Sequence, residues 1–400
     1  MILKSALQEA IRAQKEALTS RKQGIEREKL QALGNDSGMV SVITGIRRCG
    51  KSTLLRQHME QNNQTFGFLN FEDPRVLSFV VEDFYKLMDL FDPKTRCFYF
   101  DEIQNVDKWE VFVRSLHDEG YRVLLTGSNA SMLSRELGTK LTGRYLPYEL
   151  FPFSYSEFLT YTKKKPGVSS LKAYLDQGGF PEFLRSGNRE ILHQLLRDIV
   201  NRDILVRYGL RNSETVMNVL LHLVSNVAKP YTYNKLKNAY GVGSANSISD
   251  YVQWFEDSYL IFSVPQFSWS AKSSSVNPKK VYVIDTGFAK ANSLSFSSDD
   301  GRLLENAVFL SLRRDTPEIF YFKQQGECDF VVREKNKIVR AIQVCYRIDS
   351  DNQTREIDGL WEAMHFFDLD QGELVTLDQE DTLVKEGKRI ALVPAWKWIG

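Results

Sequence analysis

No CxxC pair, no internal repeat and no run approaching the roughly 20 apolar residues of a membrane span occurs in these 400 residues. The four cysteines, Cys49, Cys97, Cys328 and Cys345, show no metal-knuckle or disulfide-framework spacing. Free thiols in a reducing cytoplasm follow. The N-terminal stretch AIRAQKEALTSRKQGIEREKL is too charged for a secretory signal core. Charge of one sign is also lacking: 52 Lys and Arg face 51 Asp and Glu, for a net charge of +1. A global field for nucleic acid is thereby excluded, and any such contact rests on local patches. The expectation is a cytoplasmic protein with no membrane segment.

What is present is ordinary for a soluble globular chain: 42% apolar and 26% charged residues. The length allows two to four domains. Residues 5 to 33 have helix-forming composition but a weakly apolar face, which predicts a solvated or partner-contacting helix. GNDSG breaks it. Then MVSVIT, TFGFLNFED, RCFYFDE and RVLLTGS read as strands with helical segments between them. Strands alternating with helices predict an α/β fold with a mainly parallel sheet. From about 155 to 225 the pattern is helical, and residues 303 to 346 read helix, strand, strand, strand.

Gly45-Ile46-Arg47-Arg48-Cys49-Gly50-Lys51-Ser52 fits GxxxxGK[ST] in full and continues into Thr53. The glycines let the loop turn its N–H groups inward around phosphate oxygens, and the following helix aims its positive end at the same charge. Lys51 is expected on the β- and γ-phosphates, and Ser52 on Mg2+. About fifty residues on, RCFYFDEIQ is an apolar strand ending in Asp101-Glu102. Asp101 suits the Mg2+ site and Glu102 the polarisation of an attacking water. ATP and Mg2+ are the expected cofactors.

On these motifs, residues 40 to 155 resemble an AAA+-type P-loop ATPase. The resemblance implies a polar sensor at Asn129 in YRVLLTGSNAS, and an arginine finger at Arg144 in LTGRYLPYEL, with Arg135 as the alternative. GGFP resembles the lid motif in which a proline packs on adenine, here Pro181. The whole chain resembles a prokaryotic family in which an AAA ATPase of the AAA_14 type is fused to a DUF4143 region. The added motifs are GGFPE and LLENAVF…CDFVV…IQVCY. That resemblance implies an N-terminal helix (1–36), an ATPase core (37–160), a helical lid (161–225), a winged-helix module (226–290) and an α/β nuclease-like domain (291–400).

In the middle module, Ile248, Val252, Phe255 and Tyr259 recur at helical spacing and predict one buried face. A winged helix there would take phosphate contacts from Lys235, Lys237, Lys272, Lys279 and Lys280, or those lysines are a solvated surface. In the C-terminal region, Glu305, Asp329 and Gln343 resemble the E…D…(E/Q)xK layout of metal-dependent nucleases. Cys345 stands where the lysine belongs, and Lys323 or Arg347 would have to replace it. Two readings follow: a cutting site, or a nuclease-like fold kept for binding or assembly. The expected function is ATP hydrolysis that repositions the later modules. The alternatives are an ATP-gated DNA nuclease and a non-catalytic switch for DNA or a partner protein. A homo-oligomer is needed if Arg144 acts in trans.

Overall fold

Strand β1 (Val40–Thr44) is buried at every residue, and so is β3 (Cys97–Asp101). Such continuous burial is what a central strand of a parallel sheet requires, since helices cover both faces. The sheet is completed by β2 (Phe66–Asn70), β4 (Arg122–Gly127) and β5 (Tyr145–Glu149) in the order β2-β3-β4-β1-β5. All neighbours are parallel. The edge strands β2 and β5 are only half-buried, as their position demands. The computed structural model describes all residues except 21–23, 35–37, 63, 129–140, 142, 211, 271–276 and 296–298. It divides into two compact units, Met1–Phe151 and Pro152–Gly400. Among the described residues no helix is long and apolar enough to cross a membrane.

In the first unit, helices α1 (Lys4–Ser20), α2 (Lys51–Gln61), α3 (Asp83–Met88) and α4 (Trp109–Asp118) accompany the sheet. The expectation of a solvated or partner-contacting N-terminal helix is corrected here, since one face of it packs into this unit's own core. Leu7 and Ala10 of α1 are fully buried in the same core as Phe71 and Phe84. Gln14 continues that face: its amide accepts from the Asn70 N–H at 2.8 Å and donates to the Asn70 carbonyl at 3.1 Å. Helix α1 thus caps the backbone at the end of β2. Its helix also stops earlier than residue 33, followed by short 3-10 turns at Glu28–Leu30 and Ala32–Gly34.

The second unit opens with helices α5 (Tyr155–Thr162), α6 (Val168–Gln177), α7 (Pro181–Ser186) and α8 (Glu190–Asp198), then a π-helical stretch, Ile199–Val206. Next come α9 (Ser213–Ser225), the short strand β6 (Pro230–Tyr231), α10 (Tyr233–Tyr240) and α11 (Ala245–Asp257). The hairpin β7 (Ile261–Pro265) and β8 (Lys279–Val283) closes a three-stranded sheet in the order β6-β8-β7. Ile248, Val252, Phe255 and Tyr259 are all buried.

After α12 (Thr286–Asn292), helix α13 (Asp300–Asp315) leads into β9 (Ile319–Lys323), β10 (Glu327–Glu334) and β11 (Lys337–Val344). Helix α14 (Gln353–Phe366) then crosses to β12 (Gln371–Thr376), and β13 (Asp381–Lys385) and β14 (Lys388–Pro394) finish a six-stranded sheet. A Cβ at Gly359 would lie 2.2 Å from the Glu327 carbonyl oxygen, so glycine lets α14 approach β10. The two sheets of this unit are joined. The Phe267 N–H donates to the Tyr321 carbonyl at 2.7 Å, and the Asn306 amide clamps both backbone groups of Val283 at 2.8 and 2.9 Å.

Candidate phosphate site and a buried lysine centre

The carboxyl ends of β1 to β4 lie together, because Thr44 pairs with Gly127 and Asn70 pairs with Asp101. In an open parallel sheet this edge is where ligands bind. The loop from Gly45 leaves β1 here and enters α2. Positive φ at Gly45 (149°), Arg48 (64°) and Gly50 (105°) bends it. A Cβ on Gly45 would stand 2.0 Å from the Leu150 carbonyl oxygen, so space as well as torsion demands glycine there. Lys51 is buried, and its ammonium donates to the carbonyls of Gly45 and Ile46 at 3.1 and 3.2 Å. It lies 3.8 Å from Glu102.

Asp101 is buried at the end of β3. The Thr126 hydroxyl donates to its carboxylate, as does Ser52, and the Asn70 amide does so at 3.3 Å. Burial and the neighbouring Glu102 charge push the Asp101 pKa up to about 6, against the pull of Thr126, Ser52 and Lys51. Glu102 takes a left-handed turn (φ 53°), and its N–H donates to Thr126 Oγ1 at 2.9 Å. The Gln104 amide donates to the Glu102 carboxylate at 2.5 Å, while Gln104 Oε1 is buried without a partner. An exposed hydroxyl and a buried carboxylate in contact are hard oxygen donors. They suit Mg2+, which binds through one or two protein oxygens and completes its shell with water and phosphate. The residues therefore fit the expected cofactors.

Lys51, Ser52, Asp101 and Glu102 are brought together. Asn129 and the alternative Arg135 lie outside the described residues. Arg144 precedes β5, whose Tyr145 pairs with Val40, so it stands at the amino end of the strands. Its guanidinium bonds Asp118 at 3.1 Å. A role for Arg144 at its own chain's phosphate loop is thus corrected by the parallel register. Pro181 is the first residue of α7 in the second unit, where a fixed φ suits helix entry.

Two residues escaped the sequence reading. Thr126 on β4 joins both acids through one hydroxyl. Arg27 is buried, and its guanidinium donates to the Cys49 carbonyl at 2.7 Å and the Phe151 carbonyl at 2.8 Å. Its N–H donates to Gln57 of α2 at 3.2 Å. Arg27 therefore braces the phosphate loop from behind. A lone arginine in a charged stretch carries no signal of such a role.

The second constellation gathers around a lysine expected on the surface. Lys280 of β8 is only 3% exposed, and its ammonium lies 2.7 Å from Asp329, 2.9 Å from Glu327 and 3.2 Å from Glu305. Burial lowers its pKa, but the carboxylates of Asp329 and Glu305 outweigh that and hold it well above the usual lysine range. Burial and the Asp329 charge raise Glu305, to which the Tyr282 hydroxyl donates at 2.7 Å. Gln343 is also engaged: its oxygen accepts the Asp329 N–H at 3.0 Å and its amide donates to Glu356 at 2.6 Å.

Glu305, Asp329 and Gln343 thus do converge, with Lys280 in place of either lysine substitute. Lys323 pairs with Glu327 at the surface and Arg347 is exposed. Of the other lysines expected to contact phosphate, Lys279 donates to the Tyr233 hydroxyl at 2.9 Å, Lys272 lies outside the described residues, and Lys235 and Lys237 are exposed or half-exposed. Cys328 is a buried free thiol.

Residues 37–159 match the family model described as an AAA domain. Residues 168–299 match one described as a domain of unknown function, DUF8612, where the sequence had suggested DUF4143 further on. An uncharacterized protein of Methanocaldococcus jannaschii is 35% identical over 392 residues, covering 90% of this chain and 88% of its own. One of Haemophilus influenzae is 29% identical over 387 residues, covering 90% and 94%. Among solved structures, a Walker-type ATPase of Pyrococcus abyssi aligns at 15% identity over 69% of this chain and 99% of its own, with a TM-score of 0.43. The Thermotoga maritima RuvB Holliday junction branch migration motor aligns at 15% identity over 63% and 88%, with a TM-score of 0.31.

Proposed function

The chain carries an AAA domain and belongs to one family with the Methanocaldococcus jannaschii protein, and from this premise we propose that it binds ATP and hydrolyses it with Mg2+. The observation that carries the reading is the meeting of Lys51, Ser52, Asp101 and Glu102 at one sheet edge. Gly45 to Thr53 cradle the phosphates with backbone N–H groups. Lys51 exchanges its loop carbonyls for the β- and γ-phosphates. Ser52 and Asp101 would hold Mg2+, which would supply positive charge against the phosphates. Glu102 orients the attacking water and accepts its proton, with Gln104 and Thr126 fixing its carboxylate and backbone. The test is steady-state ATP hydrolysis by Lys51→Ala: turnover is expected to vanish, and a wild-type rate refutes the proposal.

The nucleotide cycle acts on the second unit as one body. Its hairpin is hydrogen-bonded to helix α13 through Asn306 at Val283, and Phe267, just past β7, to β9 at Tyr321, which argues against movement between a winged-helix part and a nuclease-like part. We read the helix, three strands, helix and strand from α13 to β12 as a nuclease-like layout kept for binding. The favouring observation is Lys280, whose charge already satisfies Asp329, Glu305 and Glu327. Mn2+-dependent cutting of single- or double-stranded DNA that disappears in Asp329→Ala would overturn this. With Lys280 buried and Lys279 tied to Tyr233, a protein partner is favoured over DNA.

A further inference from the structure

A cavity of 580 Å3 in the second unit, between the ends of α8, α9, α12 and α13, is lined by none of the residues of the Lys280 centre. Its volume falls in the range of small-molecule sites. Among the described residues four cations line it, Arg189, Lys229, Lys290 and Arg302, against one lining carboxylate, Asp299.

The local ion pairs leave this charge uncancelled. Asp176 is shared by Lys290 and Arg189, at 2.5 and 3.3 Å. Asp299 engages Arg302 at 3.1 Å. Among the described residues, Lys229 has no carboxylate partner. Two carboxylates therefore answer four cations.

Hydroxyl donors stand beside them. Ser225 Oγ accepts the Leu294 N–H at 2.8 Å and Ser293 Oγ accepts the Ser295 N–H at 3.1 Å. Each hydroxyl proton is left to donate, in a direction set by its accepted bond. The floor is apolar, with Val224 and Leu303 buried beneath the charges. A cationic wall, hydroxyl donors and an apolar floor together match an amphipathic anion.

We propose that this cavity binds a small phosphorylated organic molecule, its phosphate held by Lys229 and Arg302 and its organic part resting on Val224 and Leu303. The site is independent of the phosphate loop.

The test is calorimetric titration of the full chain with inorganic pyrophosphate and with AMP, repeated for Lys51→Ala, Lys229→Glu and Asp299→Asn. Among the described residues Lys229 makes no ion pair, so its reversal spares the fold, and asparagine keeps the helix cap at 299. A binding event should persist in Lys51→Ala, weaken about ten- to hundredfold in Lys229→Glu and tighten in Asp299→Asn. Binding lost in Lys51→Ala, or unmoved by both cavity variants, overturns the proposal. So does a short single-stranded oligonucleotide that displaces AMP and binds more tightly than either probe.

Discussion

Lys280→Met isolates the buried charge centre, because methionine keeps the length of the stem and removes only the ammonium. Asp329 and Glu305 then lose their cation, and Glu327 keeps only Lys323. Asp329 and Glu305 have side chains 8% and 13% exposed, so water cannot replace it, while Glu327 at 34% is partly relieved by solvent. Removing one partner from such a buried set costs about 3–5 kcal/mol. The loss has a pH signature. Glu305 already sits above the ordinary carboxylate range through burial and the Asp329 charge, and losing the ammonium raises it further. The folded variant then binds more protons than the unfolded chain. Its stability therefore falls as pH rises and partly recovers toward pH 5. Urea unfolding followed by circular dichroism at pH 8 and pH 5 gives both quantities. Adding Glu305→Gln should restore more than about 1 kcal/mol at pH 8, since the two sites share one interaction. A loss below about 1 kcal/mol at pH 8, or strict additivity of the two changes, refutes the reasoning.

Arg27→Ala leaves the Cys49 and Phe151 carbonyls without their donor; a loss of about 1–3 kcal/mol and a raised KM for ATP are expected, read by thermal unfolding and steady-state kinetics. Asp101 is pushed up to about 6 in the folded chain from an ordinary 3.8. The native state thus holds a proton that the unfolded state releases, and stability present below pH 4 is lost as pH rises through 6. The amount is about 3 kcal/mol, and the difference between wild type and Asp101→Asn across that window should show it. Equal pH slopes for the two proteins would contradict the assignment.

The phosphate loop and the acid pair were legible because each is local: a few consecutive residues supply the torsions, the donors and the charges. The alternation of strands and helices in the first unit was legible for the same reason. What could not be read were partnerships across the chain. Lys280 meets Asp329 from 49 residues away, and Arg27 meets Cys49 from 22 residues away. Neither has a spacing rule. The buried face of α1 was missed because a glutamine, Gln14, finishes it, and polar capping of a strand end resembles solvation in sequence. Whether Arg144 serves its own chain's phosphate loop could not be read, because a motif shows proximity to a strand but not which end of it faces the ligand. That answer came only from the pairing of Tyr145 with Val40.

Glu102→Gln separates binding from chemistry at the phosphate site. The variant should retain ATP affinity within a few-fold, while single-turnover hydrolysis falls about 10²- to 10⁴-fold, the range expected for loss of a general base. Hydrolysis at the wild-type rate by Glu102→Gln would contradict the account.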